Sequence, residues 1–339
     1  MLYRLITVIN MFKVSSVKVV KDEIYVTLTE DYTCIVARVK NGFFEPVIML
    51  PQRKLCLFVQ GLQEALLISV DNALYVVRES EGIAVLKTLA GNWFWHGIEA
   101  CDTVFIQEYG EPPTGIYVSE DLKSFRRMVT NRDIDPFSRH FHYITFDRDR
   151  KTLITTLGDG NIVRVAFSDD CGSSWRPLYK GPWQFVPVFI EGNKWIFGFD
   201  SGIARGGVAI YYPERDIWRF IFLKAEGYAH AQFTSITRFG DYYVGSLGYP
   251  TAVVISKDLL YWYPLHIDPT STKYNHFVNA TAWKDKVVAT TGKELLIFDS
   301  RDVKEAFRRK PFLTPYKAYL DRVKGALYVL KRLPWMLRL

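Results

Sequence analysis

The sequence lacks the short motifs that mark several common catalytic sites. Its 339 residues contain no glycine-rich phosphate loop that opens a helix, no nucleophile elbow and no His-Glu-x-x-His metal motif. Such motifs hold a phosphate, a nucleophile or a pair of metal ligands at a fixed spacing. Their absence excludes the enzyme classes that depend on them.

Cysteine is also scarce. The four cysteines, Cys34, Cys56, Cys101 and Cys171, are scattered and form no Cys-x-x-Cys pair. This spacing fits no zinc site, and it predicts free thiols in an intracellular protein. A Cys34–Cys56 bridge remains the alternative. We expect a cytoplasmic protein or a component of an intracellular assembly, and a virion component is the other setting that fits.

Long apolar runs are absent. No stretch reaches the ~18 apolar residues of a membrane helix. The apolar patch at residues 5–9 is too short for the core of a secretion signal, and no small-residue cleavage site follows it. We therefore expect neither a membrane span nor a signal peptide.

Positive charge is confined to the end of the chain. The formal net charge is +7, but residues 304–339 hold ten Lys or Arg against Glu305 and Asp321, which is +8, and residues 1–303 carry −1. The body therefore offers no basic stripe for a nucleic-acid backbone. We do not expect a nucleic-acid partner, and an anionic partner would bind the tail.

One short turn motif stands out in the sequence. Residues 168–175 read Ser-x-Asp-x-Gly-x-Ser-Trp. Gly172 can adopt a tight-turn conformation without a Cβ clash, and the short side chains of Ser168 and Asp170 can bond the turn backbone. Trp175 can bury a large apolar surface at the start of the next strand. The motif predicts a turn between two strands and names no chemistry.

This motif resembles the Asp box of BNR-repeat β-propellers, the superfamily of sialidases and sortilin-type receptors. Degenerate copies occur at residues 119–125, 213–218 and 256–262, and their closing aromatics lie 43 to 50 residues apart. Extended in both directions, the period gives seven units of about 44 residues. We predict an all-β fold, a seven-bladed β-propeller with four-stranded blades, over residues 1–303.

The seventh predicted unit has no fourth strand of its own, because residues 303–310 are polar and basic. Residues 2–9 have the pattern of a strand. We expect that strand to close the last blade from the N-terminus and so to cover an exposed sheet edge. A disordered N-terminal arm is the alternative.

The tail, residues 304–339, predicts a basic amphipathic helix appended to the propeller. Thr314 and Pro315 suit the N-cap and the first helical position. Apolar residues recur at helical spacing at Tyr316, Leu320, Val323, Leu327 and Leu330, and Trp335 lies beyond them. This stripe either packs on the side or lower face of the propeller, or docks on a partner protein, a neighbouring copy or an acidic membrane surface.

Strand order separates two faces of the predicted ring. The Asp-box turns share one face, while second-to-third loops and blade-to-blade connections share the other. All six histidines lie in or beside these connections, so the second face is the candidate ligand-binding surface. Its candidate residues are Trp95, His96, His140, His142, Asp200, Arg205, His230, Tyr249 and His276, and Asp159 reaches the same face.

Two specific chemistries of this face are less favoured. His140 and His142 are two residues apart, which on a strand places both rings on one side, but zinc needs further ligands and His96 is the nearest candidate. We therefore predict no metal and no cofactor. The sialidase resemblance implies an arginine triad, but the Arg-Ile-Pro motif that carries its first arginine is absent.

These features favour a non-catalytic binding or assembly scaffold. Its candidate face would engage a protein or a glycan, and its helix would dock on a partner, with a protein or a neighbouring copy favoured over a glycan or an acidic membrane. A glycan-active hydrolase is the alternative. That activity would require two carboxylates roughly 5–10 Å apart on the channel face.

Overall fold

The structure, a computed structural model, describes residues 13–51, 55–62, 64–79, 81–160 and 162–332. Over these ranges the strands form seven antiparallel sheets, each with its strands in chain order. The first strand of each sheet contacts the first strands of its neighbours, and β25 of the last sheet contacts β1 of the first. This closed ring confirms the predicted seven-bladed propeller.

The first four blades each have four strands. They are β1 (Lys13–Val20), β2 (Glu23–Glu30), β3 (Thr33–Lys40) and β4 (Phe43–Pro51); β5 (Cys56–Gly61), β6 (Leu66–Val70), β7 (Ala73–Arg78) and β8 (Glu81–Lys87); β9 (Trp93–Ala100), β10 (Thr103–Tyr109), β11 (Gly115–Ser119) and β12 (Arg126–Thr130); and β13 (His140–Asp147), β14 (Thr152–Gly158), β15 (Val163–Ser168) and β16 (Arg176–Lys180). The short helix α1 (Asn131–Ile134) follows β12.

The remaining blades precede a helical C-terminal segment. Their strands are β17 (Phe185–Glu191), β18 (Lys194–Phe199), β19 (Gly207–Tyr212) and β20 (Ile217–Ala225); β21 (Gln232–Phe239), β22 (Tyr242–Tyr249), β23 (Ala252–Ser256) and β24 (Tyr263–Ile267); and β25 (Val278–Trp283), β26 (Lys286–Thr291) and β27 (Leu295–Phe298). The segment consists of α2 (Ser300–Ala306), β28 (Leu313–Pro315) and α3 (Tyr319–Leu330).

The turn at residues 168–175 is built by its own side chains. The Ser168 hydroxyl accepts a hydrogen bond from the Gly172 N–H (2.7 Å), and the Asp170 carboxylate accepts one from the Ser174 N–H (2.8 Å). Gly172 has a φ of +88°, the left-handed region that glycine adopts without strain. The residues of the motif therefore have the roles expected for a strand-to-strand turn.

The degenerate copy at residues 256–262 forms a related turn that is one residue shorter. The Ser256 hydroxyl accepts from the Leu259 N–H (2.9 Å), and the Asp258 carboxylate accepts from the Leu260 N–H (2.8 Å). Its closing residue, Trp262, is completely buried, whereas Trp175 of the better motif is only half-buried. Agreement with the motif therefore does not measure how tightly a turn packs.

The innermost strands of six blades contain a β-bulge near the start of the strand. The extra residues are Ser15, Val59, Trp95, His142 and Thr234, and in β17 two residues, Val186 and Pro187, face Gly198 alone. A bulge interrupts strand pairing and redirects a side chain. At this level of the ring, the strand backbone therefore needs hydrogen-bond partners from outside its own sheet.

The neighbouring blade supplies those partners through buried polar side chains. The Ser69 hydroxyl accepts from the Phe94 N–H (3.1 Å), and the Gln107 amide donates to the Phe141 carbonyl (2.8 Å). At the closure of the ring, the Thr290 hydroxyl donates to the Val14 carbonyl (2.8 Å). Beside the bulges, these bonds tie blade 2 to blade 3, blade 3 to blade 4 and blade 7 to blade 1.

The C-terminal segment differs from its prediction in two places. In the described part of the chain blade 7 has three strands, as expected, and α2 follows; residues 2–9, proposed to close that blade, lie outside the described residues. The predicted helix start at Thr314 and Pro315 is wrong. Both residues belong to β28, which pairs with β20 and covers the outer edge of blade 5, and α3 begins only at Tyr319.

The prediction of free thiols is also wrong. Cys34 is bonded to Cys56, and Cys101 to Cys171. Each disulfide joins neighbouring blades, because the ring brings together positions that are 22 and 70 residues apart in sequence. No helix in the described ranges is long and apolar enough to cross a membrane.

Replacing Thr290 by Val should weaken the closure of the ring. The variant keeps the shape of the side chain but leaves the buried Val14 carbonyl without its donor, which costs about 1–3 kcal/mol of the free energy of unfolding. Urea denaturation measures this loss. Thr281→Val, at a half-exposed position of β25, is the control and should lower the free energy of unfolding only slightly. Equal losses of that free energy in the two variants would contradict the role of Thr290.

Removing the Cys101–Cys171 disulfide should destabilise the protein. By loop entropy, a cross-link over 70 residues stabilises the fold by about 4 kcal/mol and one over 22 residues by about 3 kcal/mol. Urea denaturation of C101S/C171S and of C34S/C56S measures both losses. Four reactive thiols in the unfolded but unreduced wild-type chain would contradict the pairing.

Candidate functional site

The structure brings six of the nine predicted face residues together around Tyr109. Ring centroids of Trp95, His140 and His276 lie 4.7, 4.2 and 6.4 Å from that of Tyr109. The other members extend this group: His96 stacks on Trp95, and His142 lies beside His140. Asp200 lies close enough for its charge to add to burial and the charge of Asp159 in raising the pKa of Tyr109. We call these residues and Tyr109 the channel cluster.

The other three predicted face residues have different neighbours. The Arg205 N–H donates to the Asp321 carboxylate (3.3 Å), so Arg205 contacts the C-terminal helix. His230 bonds the Ala204 carbonyl through Nδ1 (3.1 Å), and the Tyr249 ring lies 6.2 Å from that of Tyr228. The predicted face is therefore divided between the channel cluster and a region near α3.

The bulges determine how the channel cluster is assembled. Trp95 and His142 are the extra residues in β9 and β13. Because a bulge adds a residue without a cross-strand partner, it changes the direction of the side chains that follow. The rings of His140 and His142 consequently lie next to each other, with Nε2 atoms 3.2 Å apart.

Backbone carbonyls orient the two histidine rings. The Nδ1 atom of His140 lies 2.9 Å from the Gly110 carbonyl, and that of His142 lies 3.2 Å from the Phe185 carbonyl. Gly158 is required beside them, because a Cβ at this position would overlap the His142 ring. The pair is therefore fixed by the fold.

Asp159 completes a group of potential metal ligands. Its Oδ2 lies 3.5 Å from His140 Nε2, while its Oδ1 accepts from the Gln184 amide (2.8 Å). Ligand atoms of His140, His142 and Asp159 lie within 4.8 Å of one another. Asp159 was expected on this face without a role, and His96, the expected third ligand, instead packs its ring against Tyr143.

Burial controls the charges of the channel cluster. It lowers the pKa of His96 and of His142 to about 3 and that of His276 to about 4. Burial, together with the charge of Asp159, raises the pKa of Asp200 to about 7. At neutral pH the histidines are therefore neutral and Asp200 is near its midpoint, so the cluster carries little positive charge.

Several members of this site were missed in the sequence. Tyr109 ends β10, and Gln184 lies in the connection between blades 4 and 5. The backbone of Gln184 accepts from the Asp200 N–H (2.9 Å), while its side chain bonds Asp159. Their positions at strand ends on the predicted face are the signal that could have identified them.

The C-terminal helix packs through its small and polar face. Asp321 accepts from the Tyr316 hydroxyl, and the Tyr328 hydroxyl accepts from buried Arg164 (2.7 Å). Gly325 allows close approach, because a Cβ there would lie 2.8 Å from Trp183. This face therefore binds α3 to blades 4 and 5.

The predicted apolar stripe of α3 points away from the propeller. Leu320, Val323, Leu327 and Leu330 are 76%, 58%, 52% and 56% exposed. Packing of the stripe on the propeller, one of the two alternatives, is therefore wrong for these four residues. Tyr316 is half-buried and outside the helix, and Trp335 lies outside the described residues.

A groove with an acidic rim lies on the opposite face of the ring. Apolar residues including Leu62, Val104 and Phe146 line its floor, and its cavity volume is about 630 Å³. Glu64, Glu99, Asp102 and Glu120 lie at its rim with Arg148. Strand order places the groove among the turns that include the Asp boxes, whereas α3 contacts connections on the other face.

Comparison with known proteins supports the fold alone. No family model and no curated protein matches the chain. The extracellular domain of BT4673 from B. thetaiotaomicron matches at 10% identity and a TM-score of 0.59, over 87% of this chain and 40% of that one. A chain of the Mitotic Checkpoint Complex matches at 10% identity and a TM-score of 0.59, over 86% of this chain and 89% of that one. BamB from Moraxella catarrhalis matches at 12% identity and a TM-score of 0.51, over 84% of this chain and 83% of BamB.

Two limits follow from these comparisons. The chain spans about 40% of the length of the BT4673 domain. At such low identities the similarity gives the propeller architecture and no activity. The Asp-box family resemblance and the intracellular setting stay predictions, and one of the structural neighbours is an extracellular domain.

Replacing Asp200 by Asn should remove a pH-dependent loss of stability. The pKa of Asp200 is raised to about 7 from its ordinary value of 3.8, so its stabilising contribution is complete below pH 4 and is lost as the pH rises through 7. Above pH 7 the buried charge costs up to about 4 kcal/mol. D200N should therefore be more stable than wild type at pH 8 and equal to it at pH 4.

Urea denaturation in the presence of EDTA measures this difference and excludes an effect of bound metal. The control is Asp149→Asn, which removes an exposed carboxylate. A D200N variant whose stability changes with pH as steeply as that of wild type would show that burial of Asp200 is not the cause.

Proposed function

We propose that the protein is a non-catalytic assembly scaffold whose copies associate head to tail. The stripe of α3 on one copy docks in the acidic-rimmed groove of the next copy. The observation that supports this most strongly is the exposure of four large apolar side chains on a helix that is already fixed by its opposite face.

The stripe has the form of a helix that binds a groove. Leu320, Val323, Leu327 and Leu330 lie at positions i, i+3, i+7 and i+10, the spacing by which amphipathic helices place anchors in an apolar groove. The contacts of Asp321 with the propeller hold the helix in place before association. Association therefore requires little further ordering of the chain.

Charge favours a second copy as the occupant of the groove. Lys317, Lys324 and Lys331 are exposed on or beside α3, while four carboxylates and one arginine line the groove. A symmetric contact of two α3 helices would bring like charges together. Because helix and groove lie on opposite faces, a heterologous contact repeats along a stack of rings.

The channel cluster lies on the same face as α3 and so borders the proposed contact between rings. We propose that it engages a protein or glycan through its aromatic and polar groups, the interaction that the sequence favoured. The resemblance of residues 168–175 to the Asp box and the similarity to a chain of the Mitotic Checkpoint Complex support a binding role by analogy only. A glycan-active hydrolase remains the alternative prediction.

A complementation experiment tests the proposed assembly. L320A/L327A removes the docking stripe, and E99K/E120K reverses two charges at the groove rim. Each variant alone should sediment as a monomer in analytical ultracentrifugation, whereas an equal mixture should form a dimer. Only one pairing remains in that mixture, the intact helix of the second variant with the intact groove of the first.

Matched controls define the other outcomes. Ile217→Ala removes an exposed apolar side chain of blade 5 and should leave association unchanged. If L320A/L327A abolishes association but E99K/E120K does not, α3 docks somewhere other than in the groove, and the proposed docking site is wrong. Flotation of the wild-type chain with anionic vesicles, without self-association, would assign the stripe to a membrane surface.

A further inference from the structure

We propose that His140, His142 and Asp159 bind a divalent metal ion of the zinc class. The inference is independent of head-to-tail assembly and concerns the mouth of the channel. It rests on the arrangement of three ligand atoms from β13 and the loop after β14, and on the groups that orient each of them.

The hydrogen bonds of the two histidines leave two lone pairs facing each other. A carbonyl oxygen only accepts, so the Gly110 and Phe185 carbonyls place the proton of each neutral ring on Nδ1. Each Nε2 therefore carries a lone pair, and these atoms are 3.2 Å apart. Two acceptors at this distance repel each other unless a cation or a shared proton lies between them.

The distances between the three ligand atoms match those around a tetrahedral metal ion. A proton shared by the two histidines explains them less well. With zinc–ligand bonds of 2.0–2.2 Å, neighbouring ligand atoms of a tetrahedral site lie about 3.3–3.6 Å apart. The separation of the two Nε2 atoms is 3.2 Å, and that from His140 Nε2 to Asp159 Oδ2 is 3.5 Å. The remaining separation, between the ligand atoms of His142 and Asp159, is no more than 4.8 Å. The half-exposed side chain of Asp159 can move inward to shorten it.

The surrounding groups have the form of a second coordination shell. Metal-bound histidines commonly donate their other N–H to a carbonyl, as His140 and His142 do. Gln184 holds the Oδ1 atom of Asp159 (2.8 Å) and leaves Oδ2 directed at His140. Three protein ligands leave a fourth position for water or a ligand oxygen, and Asp159, 47% exposed, provides the route of entry.

Zinc titration of the full chain tests the site. Tag-free protein, dialysed against EDTA and then freed of it, is titrated with ZnCl₂ by isothermal calorimetry, and we expect one ion per chain. Asp159→Asn and His142→Ala should each weaken affinity at least 100-fold. Gln184→Ala, which changes a positioning residue, should weaken it 10- to 100-fold. His230→Ala, a histidine outside the group, should leave affinity unchanged.

Two further measurements separate metal binding from a structural role. Near-UV circular dichroism checks that each variant is folded, and the near-isosteric D159N keeps the test valid if H142A is not. Bound Co²⁺ should give the intense visible bands of a four-coordinate site in wild type and lose them in D159N. A wild-type chain that binds no more Zn²⁺ than folded D159N would overturn the assignment and leave a proton shared by the two rings.

Discussion

The ring depends on the hydrogen bonds by which buried polar side chains of one blade satisfy the inner strand of the next. Strands within a blade satisfy one another's backbone groups, but the backbone beside a bulge needs hydrogen-bond partners from the neighbouring blade. Ser69, Gln107 and Thr290 provide those partners from completely buried positions. A buried carbonyl or N–H without a partner is costly, so these bonds fix the height at which neighbouring blades meet.

The same bulges produce the candidate site. At Trp95 and His142 the extra residue carries an aromatic or imidazole side chain instead of the small one found at Ser15, Val59 and Thr234. Gly158 on the neighbouring strand leaves room for the His142 ring, and the Nε2 atoms of the two imidazoles lie 3.2 Å apart. The Arg332 side chain of the C-terminal segment also donates to the Gly160 carbonyl (2.8 Å), next to Asp159. The docking helix and the channel cluster are therefore adjacent.

The sequence predicts the blades well because their signals are local. A turn motif such as residues 168–175 bonds itself, and its period gives the number of blades. The choice of face follows from strand order, which explains why six of nine candidate residues meet around Tyr109. The pairing of Cys101 with Cys171 could not be predicted, because it depends on which turn tips become neighbours in the closed ring.

The orientation of α3 was open for a different reason. The spacing of Leu320 to Leu330 identifies an apolar face but not whether it is covered by the same chain. That outcome is decided by distant partners, since Arg164 and Trp183 bind the opposite face through Tyr328 and Gly325. In α3 an Asp and a Gly are buried and the leucines are exposed. This is the reverse of the usual amphipathic helix, whose apolar face is buried.

The central claim is that the stripe of α3 is uncovered in one copy and covered by the next. Hydroxyl-radical footprinting with mass spectrometry at two protein concentrations measures this directly. We expect Leu327 to be oxidised in dilute protein and protected in concentrated protein, while Ile217 is oxidised in both and Leu223, which is completely buried, in neither. Protection of Leu327 at both concentrations would show that its own propeller covers the stripe and would contradict the account.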